Sequence, residues 1–457
     1  MSPRSMTYPA HVRAVLTLGL PLIGGHLAQF LIGLTDTMML GWYGAEALAA
    51  LTLAHTAFFT LFLLGTGIAW AVMPMVASYA AQGDQVSIRR ATRMGLWLSL
   101  IFFALTVLPL WLSEPILLAL GQEARVSADA QTYLRVALWG MAPALGVMVL
   151  KSYLAGLEHT RIVFWITGLA AVLNAGFNWV LIFGHLGAPE LGIRGAAIAS
   201  VLTHAVSLAG VVLYARAKLP EHDLFARFWK PDWEMFGQVF RLGWPIGLTN
   251  LSEVGLFAAS AFMMGAIGTV ALAAHGIAVQ LATAAFMIHM GLSNAATVRA
   301  GNAFGRNDAG HLVRGAWAVI AISVAVACVT VAVFVLMPEP LVGAFLDPAD
   351  PDRAAIVEAG VSLLIVAALF QLVDGAQVIA LGLLRGVQDT RVPMVMAAVA
   401  YWGLGLPAAW AFGFGLGWGG PGIWLGLVIG LGAAGVFLMW RFWSRAVPQA
   451  EARPTLA

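Results

Sequence analysis

Twelve apolar runs dominate the chain, each long enough to cross about 30 Å of hydrocarbon as a helix. They fall near 13–39, 46–78, 92–112, 129–154, 162–184, 194–216, 238–265, 270–301, 313–336, 356–383, 392–414 and 421–443. Lipid offers no hydrogen bonds, so backbone groups in such runs must satisfy one another, which leaves helices or a closed barrel. The runs are too long and too uniformly apolar for barrel strands. Of the 457 residues 61% are hydrophobic and only 10% are charged, against about 25% charged in soluble proteins. The expected fold class is therefore an all-α polytopic membrane protein with 12 transmembrane helices. A net charge of +2 argues against a nucleic-acid partner, and the single cysteine, Cys328, rules out a disulfide framework. The polar first ten residues, with a whole series of spans behind them, predict no cleaved signal peptide.

The chain also repeats itself. Leu18 to Ala50 aligns without a gap on Leu242 to Ala274, 224 residues later, with 11 identities in 33 positions, including Gly19/Gly243, Pro21/Pro245, Met39/Met263, Gly41/Gly265 and Leu48/Leu272. At the same offset Asp84 meets Asp308 and Arg90 meets Arg314. At an offset of 230, Gly156 meets Gly386 and Arg161 meets Arg391. Each half carries six spans, an even number, so both enter the membrane in the same sense. The expectation is two six-helix lobes related by a pseudo-twofold axis along the membrane normal. Residues 1–217 would form the N-terminal lobe, 218–235 a cytoplasmic linker with a short surface helix, and 236–457 the C-terminal lobe.

Lys and Arg concentrate in the even-numbered loops. With the N-terminus inside, 20 basic residues fall on the inner side, from Arg4 through Arg89, Arg90, Arg93, Arg299 and Arg385 to Arg453. Only Arg125, Arg135, Arg194 and Arg353 fall outside, where Asp347, Asp350 and Asp352 make one loop acidic. The bias predicts both termini in the cytoplasm and a plasma-membrane location, the inner membrane in a prokaryote.

Once the loops are set aside, three acids remain within spans: Asp36 in the first, Glu253 in the seventh and Asp374 in the tenth. An acid at membrane depth costs several kcal/mol on any scale, so each reads as a cation or proton site. Gln29 precedes Asp36 by two turns, and Glu253 stands where Gln29 does in the other half. Gln371, Asp374 and Gln377 recur every three residues and make one polar stripe; Asn174 and Asn178 share a face of the fifth span. Amide oxygens beside a carboxylate suit a hard monovalent cation, and Thr203 with His204 could add to the N-terminal set. Asparagines also serve plainly as interhelical bonds. The histidines His26, His55, His204, His275 and His289 read mostly as hydrogen-bonded core residues, with a proton relay as the other reading. Phe257, Met263 and Met287 could line an adaptable apolar cavity, and Pro21, Pro143, Pro245 and Pro407 could kink their helices. No GxxxxGK[ST], HExxH, GxSxG or Cys/His cluster occurs, so neither ATP-driven pumping nor hydrolysis is expected. The chain reads as a transporter without a cofactor, not an enzyme.

These residues resemble a known family. Pro21, Gln29, Asp36 and Gly41, the eighth-span tail SNAATVRAGNAFGRND, and above all the tenth-span tail GLLRGVQDTRVP are similar to the multidrug and toxic compound extrusion (MATE) transporters. Acids at both Glu253 and Asp374 resemble the NorM-type branch. The resemblance implies antiport of Na⁺ or H⁺ against amphiphilic, mostly cationic drugs by a monomer. It implies a cation or proton site at Asp36 with Asn174, Asn178 and Thr203, and another at Glu253 and Asp374. Bound Na⁺ would sit at Asp36 or at the Glu253/Asp374 pair. A drug cavity would be lined by Gln29, Phe257, Met263, Met287, Phe370, Gln371 and Gln377. Phe370 stands where some relatives carry a tyrosine, and Asn178 where others carry a second acid. Each change removes an oxygen ligand, which favours protons. The alternative is a flippase of the same broad superfamily for a lipid-linked precursor. Such a cavity calls for arginines to hold a pyrophosphate, whereas the intramembrane charges here are acidic.

Overall fold

The structure, a computed structural model, describes residues 6–349 and 351–452, apart from the side chains of 45–49. Arg4, Asp350, Arg453 and the side chain of Leu48, all used above, lie outside the described residues. Among the described residues twelve helices long and apolar enough to span a membrane follow one another: α1 (Tyr8–Tyr43), α2 (Ala45–Gln82), α3 (Gln85–Trp111), α4 (Ala124–Gly156), α5 (Thr160–Phe183), α6 (Gly192–Lys218), α7 (Trp233–Ile267), α8 (Thr269–Gly305), α9 (Ala309–Leu336), α10 (Arg353–Gly386), α11 (Arg391–Gly415) and α12 (Gly419–Glu451). Most overshoot the apolar runs by several residues, because their ends are amphipathic and escape a purely hydrophobic count. Arg299 and Arg385, assigned above to inner loops, lie inside α8 and α10 and are buried. The helices run unbroken through Pro21, Pro143 and Pro245. Before Pro407, α11 widens into a π-turn over Val399–Gly405.

The repeat extends to details that periodicity did not reveal. Asp84 caps α3 by accepting from the Ser87 amide at 3.0 Å, and its equivalent Asp308 caps α9 by accepting from the His311 amide at 2.9 Å. A short helix follows each of these spans, Ser113–Ala119 and Pro338–Gly343. The residues divide into two compact units, Gly24–Gly247 on the one hand and Met1–Ile23 with Leu248–Ala457 on the other. Both breaks fall inside a first helix, two residues beyond the shared proline, and they too are 224 residues apart.

Within the first unit α2 and α4 form the centre, wrapped by α3 and α6, with α5 on α6. Its core joins Leu40, Leu51, Leu110, Tyr133, Leu134, Leu138 and Ile182. The segment between α6 and α7 turns once at Pro220–His222 and is fastened down along its length. His222 Nδ1 meets the Tyr153 hydroxyl at 2.6 Å, the Trp97 indole donates to the Phe228 carbonyl at 2.9 Å, and Arg90 pairs with Asp232 at 2.5 Å. In the second unit α8 packs on α10 and α10 on α12, the same pairing order as in the first. There Arg299 donates to His11 Nδ1 at 2.9 Å and to His311 Nε2 at 2.8 Å, while Arg314 donates to the Met6 carbonyl at 3.1 Å.

Lipid tails are as apolar as leucine, so helices in a membrane associate through close packing of small residues. One such approach recurs at equivalent places in the two units. A Cβ on Gly67 of α2 would stand 2.2 Å from the Gly247 nitrogen of α7. A Cβ on Gly291 of α8, the repeat partner of Gly67, would stand 2.6 Å from the Ile23 nitrogen of α1. In α12, Gly422, Gly426 and Gly430 let α11 approach in the same way.

Two outcomes are expected. Gly67→Ala and Gly291→Ala should each lower stability by roughly 1–3 kcal/mol through overpacking against backbone that cannot yield. Gly168→Ala, with open space at its Cβ, should be neutral or stabilise by a few tenths to about 1 kcal/mol. Thermal unfolding in detergent measures both. Separately, Asp84→Ala should cost about 1 kcal/mol near neutral pH. The bonds from Ser87 hold the Asp84 carboxyl below its ordinary value, so this contribution is present above the unfolded pKa of about 4 and fades as pH falls through the folded one. Melting curves of variant and parent should therefore converge in acid.

Candidate functional site

Each unit holds acids well inside its helices, with amides set against them. In the first unit α1 brings Asp36 and α5 brings Asn174 and Asn178, four residues apart and both fully buried. Asn178 Nδ2 donates to Asp36 Oδ1 at 2.5 Å and to Asn174 Oδ1 at 3.2 Å. One amide nitrogen thus links all three, uniting residues 142 positions apart in sequence. Asn178 Oδ1 and Asn174 Nδ2 are buried and lack a protein partner. Thr203 on α6 is buried and gives its hydroxyl proton to the Ala199 carbonyl of its own helix at 2.7 Å, a bond that leaves the hydroxyl oxygen its acceptor lone pairs. Gln29 is exposed.

In the second unit α10 presents Gln371, Asp374 and Gln377, all three buried, as the three-residue spacing predicts. Gln377 Nε2 donates to Glu253 Oε1 of α7 at 2.9 Å, while its oxygen accepts from the Tyr401 hydroxyl of α11 at 2.5 Å. Asp374 Oδ1 and Gln371 Oε1 are buried without a protein partner. Arg385, three turns beyond Asp374 on α10, donates to Asn250 Oδ1 at 3.1 Å, and Asn250 sits one turn ahead of Glu253. Phe370 is enclosed between Phe257 and Trp424, edge-on to both, with ring centres 5.8 and 5.4 Å away. Three residues expected to line a cavity, Phe370, Gln371 and Gln377, are thus closed off inside the unit, each no more than 1% exposed. Phe257, Met263 and Met287 are half-buried and keep an accessible surface.

Two members of this network went unread in the sequence, Tyr401 and Arg385. Tyr401 had a signal: its hydroxyl is the polar group of an otherwise apolar run from Val392 to Leu406. Arg385 had one as well, lying 11 residues, three helical turns, from Asp374. Of the histidines, His275 accepts from the Trp424 indole at 3.1 Å and His289 meets the Ser323 hydroxyl at 3.0 Å, both as core residues do.

The donor set suits a small hard cation or a proton. Carboxylate and amide oxygens, some without a protein partner, are what a monovalent cation accepts, and a carboxylate among amides can also take a proton. Among the described residues no group of three or more His, Cys, Asp or Glu is placed to hold a metal ion, so transition-metal chemistry has no support here.

The family model described as MatE matches residues 21–180 and 245–411, one stretch in each half. The chain belongs to the MatE family. It is thereby a membrane transporter of the MATE type and not an enzyme. A "Probable multidrug resistance protein NorM" of Rhizobium meliloti is 48% identical over 450 residues, 98% of this chain and 96% of that protein. A protein of the same name from Agrobacterium fabrum is 45% identical over 435 residues, 95% of this chain and 94% of its own length. The fold matches a solved structure described as the outward-facing conformation of a multidrug resistance MATE family transporter of the MOP superfamily. The TM-score is 0.86 at 20% identity, over 99% of this chain and all of that one.

For this MATE chain the geometry predicts that Asn178→Leu, which keeps the volume but removes the donor, leaves a half-buried carboxylate short of a partner at a cost of about 1–3 kcal/mol. Chemical unfolding in detergent should register the loss near neutral pH. Adding Asp36→Asn to Asn178→Leu should recover part of it.

Proposed function

We propose that this MATE chain exports amphiphilic, mostly cationic drugs in antiport with an inward-moving cation, with Asp36, Glu253 and Asp374 as the coupling groups. The observation that carries the reading is the Asn178–Asp36 contact at 2.5 Å, a carboxylate inside a span held by an amide, which is neutral and leaves room for a second ligand. The equivalent hold of Gln377 on Glu253 in the other unit supports it. The names of the curated relatives point the same way.

In this reading Asp36 with Asn174 and Asn178 forms one coupling site, and Glu253 with Asp374 forms another. Thr203 would add its buried hydroxyl oxygen to the first. Phe257, Met263, Met287 and Gln29 would meet the drug, whereas Phe370, Gln371 and Gln377 would shape the wall behind it. The working lobes are those of the repeat, 1–217 and 236–457 joined by 218–235, with both termini in the cytoplasm and the chain active as a monomer in the plasma membrane. Binding of the cation favours the state that releases drug outside, because each ligand prefers a different conformation. Protons are the favoured coupling ion. Na⁺ prefers to keep several oxygens at once, and the tyrosine and second acid that would complete such a set are replaced by Phe370 and Asn178. Flipping of a lipid-linked pyrophosphate is disfavoured, since the buried arginines Arg299 and Arg385 are engaged by His11, His311 and Asn250.

Ethidium efflux from proteoliposomes tests this, with a pH gradient and a Na⁺ gradient imposed separately. Efflux should follow the pH gradient, and Asp36→Asn, Glu253→Gln and Asp374→Asn should each reduce it at least tenfold without loss of folded protein. Wild-type efflux in Asp374→Asn would remove that acid from the coupling set. Efflux driven by Na⁺ alone would replace the proton with a bound metal ion.

A further inference from the structure

The segment between α6 and α7 carries more surface chemistry than a connection needs. It makes two tight turns, closed by the Ala226 amide on the Asp223 carbonyl at 3.1 Å and by the Lys230 amide on the Arg227 carbonyl at 3.0 Å. One side is pinned to α3. The Arg93 guanidinium donates to the Ala226 and Arg227 carbonyls, and the Trp97 indole donates to the Phe228 carbonyl. Leu224 is buried, and Phe225 is half-buried with the Arg216 guanidinium 5.0 Å above its ring. The other side is open: Arg227, Trp229, Lys230 and Trp233 are exposed, the two indoles by 71% and 64%. Arg227 holds this display with a left-handed φ of 50°, a conformation disfavoured for a residue with a Cβ.

The pins also set the depth of the segment. Trp97 lies 12 residues into α3, about 18 Å from its start at 1.5 Å per residue. That is five residues inside the apolar run that begins near 92. The Trp97 bond therefore draws Phe228, and Trp229 beside it, to the level where lipid headgroups meet tails. Tryptophan concentrates at that level, and nearby Lys and Arg are attracted to anionic lipid. From Leu224 to Pro231 the charged residues are Arg227 and Lys230. Arg89, one turn before Arg93 on α3, adds a cation on the same helix face. Of the flanking acids, Asp232 and Glu234 are paired with Arg90 at 2.5 and 3.0 Å. Glu221 and Asp223 are exposed at the other end of the segment.

We propose that this segment is a docking surface for anionic phospholipid. Arg227 and Lys230 hold the headgroup phosphate in the leaflet on the segment's side of the membrane, and Trp229 enters among the upper tails. The connection between α6 and α7 is thereby tied to the bilayer as well as to α3.

The test uses the full chain in nanodiscs of phosphatidylcholine and phosphatidylglycerol, with a dansyl label on Pro231→Cys in a Cys328→Ser background. Cys328 is the single native cysteine, so the label reports from one place, and Trp229 is kept. Bromine on the upper tail carbons of one lipid or the other quenches at close range, whereas iodide quenches from water. Brominated phosphatidylglycerol should quench in preference to brominated phosphatidylcholine, with a relative binding constant of about five, the effect of one basic residue near an anionic surface. Arg227→Gln with Lys230→Gln should bring that ratio close to one. Arg161→Gln, an exposed arginine ahead of α5, should leave it unchanged. Trp229→Ser should weaken quenching by both lipids alike, and unchanged quenching there overturns its insertion. Equal quenching by the two lipids in the parent, or a preference that survives the double substitution, overturns the proposal. So does quenching by iodide alone, which places the segment in water. Nanodiscs present the same lipids on both faces and no transport is measured, so the result is independent of which side faces the cytoplasm and of what the protein exports.

Discussion

The fold depends on backbone meeting backbone where a side chain would forbid it. Gly67 against Gly247, and Gly291 against Ile23, bring the first half of one repeat's leading helix onto the second helix of the other. In water, burial of apolar surface would hold such helices together. In lipid that term largely cancels, and what remains is dispersion at short range and hydrogen bonds without competition. Glycine supplies the first by letting main chains approach. Asp84 and Asp308 cap the aqueous ends of α3 and α9, and Arg90 and Arg314 on those helices hold Asp232 and the Met6 carbonyl, just ahead of α7 and α1.

Against that packed frame, the acids inside the spans stand out as the costly feature. A carboxylate in low dielectric needs donors, and both units supply amides: Asn178 for Asp36, Gln377 for Glu253. Amides stabilise an anion without neutralising it. A lysine in their place would form a closed ion pair with nothing left to bind. Arg385 is the near exception, and its guanidinium is directed through Asn250, one turn from Glu253. The clusters are therefore held by hydrogen bonds between helices and still keep buried polar atoms without a protein partner. The partnerless oxygens of Asn178, Asp374 and Gln371 mark where that slack lies.

Much of this was legible in the residues. Twelve apolar runs gave twelve helices because lipid permits little else, and the three acids stood out for the same reason. The stripe Gln371–Asp374–Gln377 and the pair Asn174–Asn178 were readable because helical spacing puts each set on one face. Partnership was not readable. That Asn178 bonds to Asp36, or that Tyr401 bonds to Gln377, depends on which faces of different helices meet, and a periodicity says nothing of that. Arg385 escaped because an arginine near a span end looks like a loop residue until the helix is seen to run to Gly386. Phe370, Gln371 and Gln377 were legible as inward-facing, but whether inward means a cavity or a closed core is decided by the rings of Phe257 and Trp424.

The two breaks between units lie inside α1 and α7, at matching places in the repeat. Residues 8–23 begin the first repeat but pack with the second, and residues 233–247 begin the second but pack with the first. The chain is thus organised as an exchanged dimer fused into one polypeptide, each half lending its opening segment to the other. A six-helix half made on its own would carry an end it cannot use and lack the one it needs.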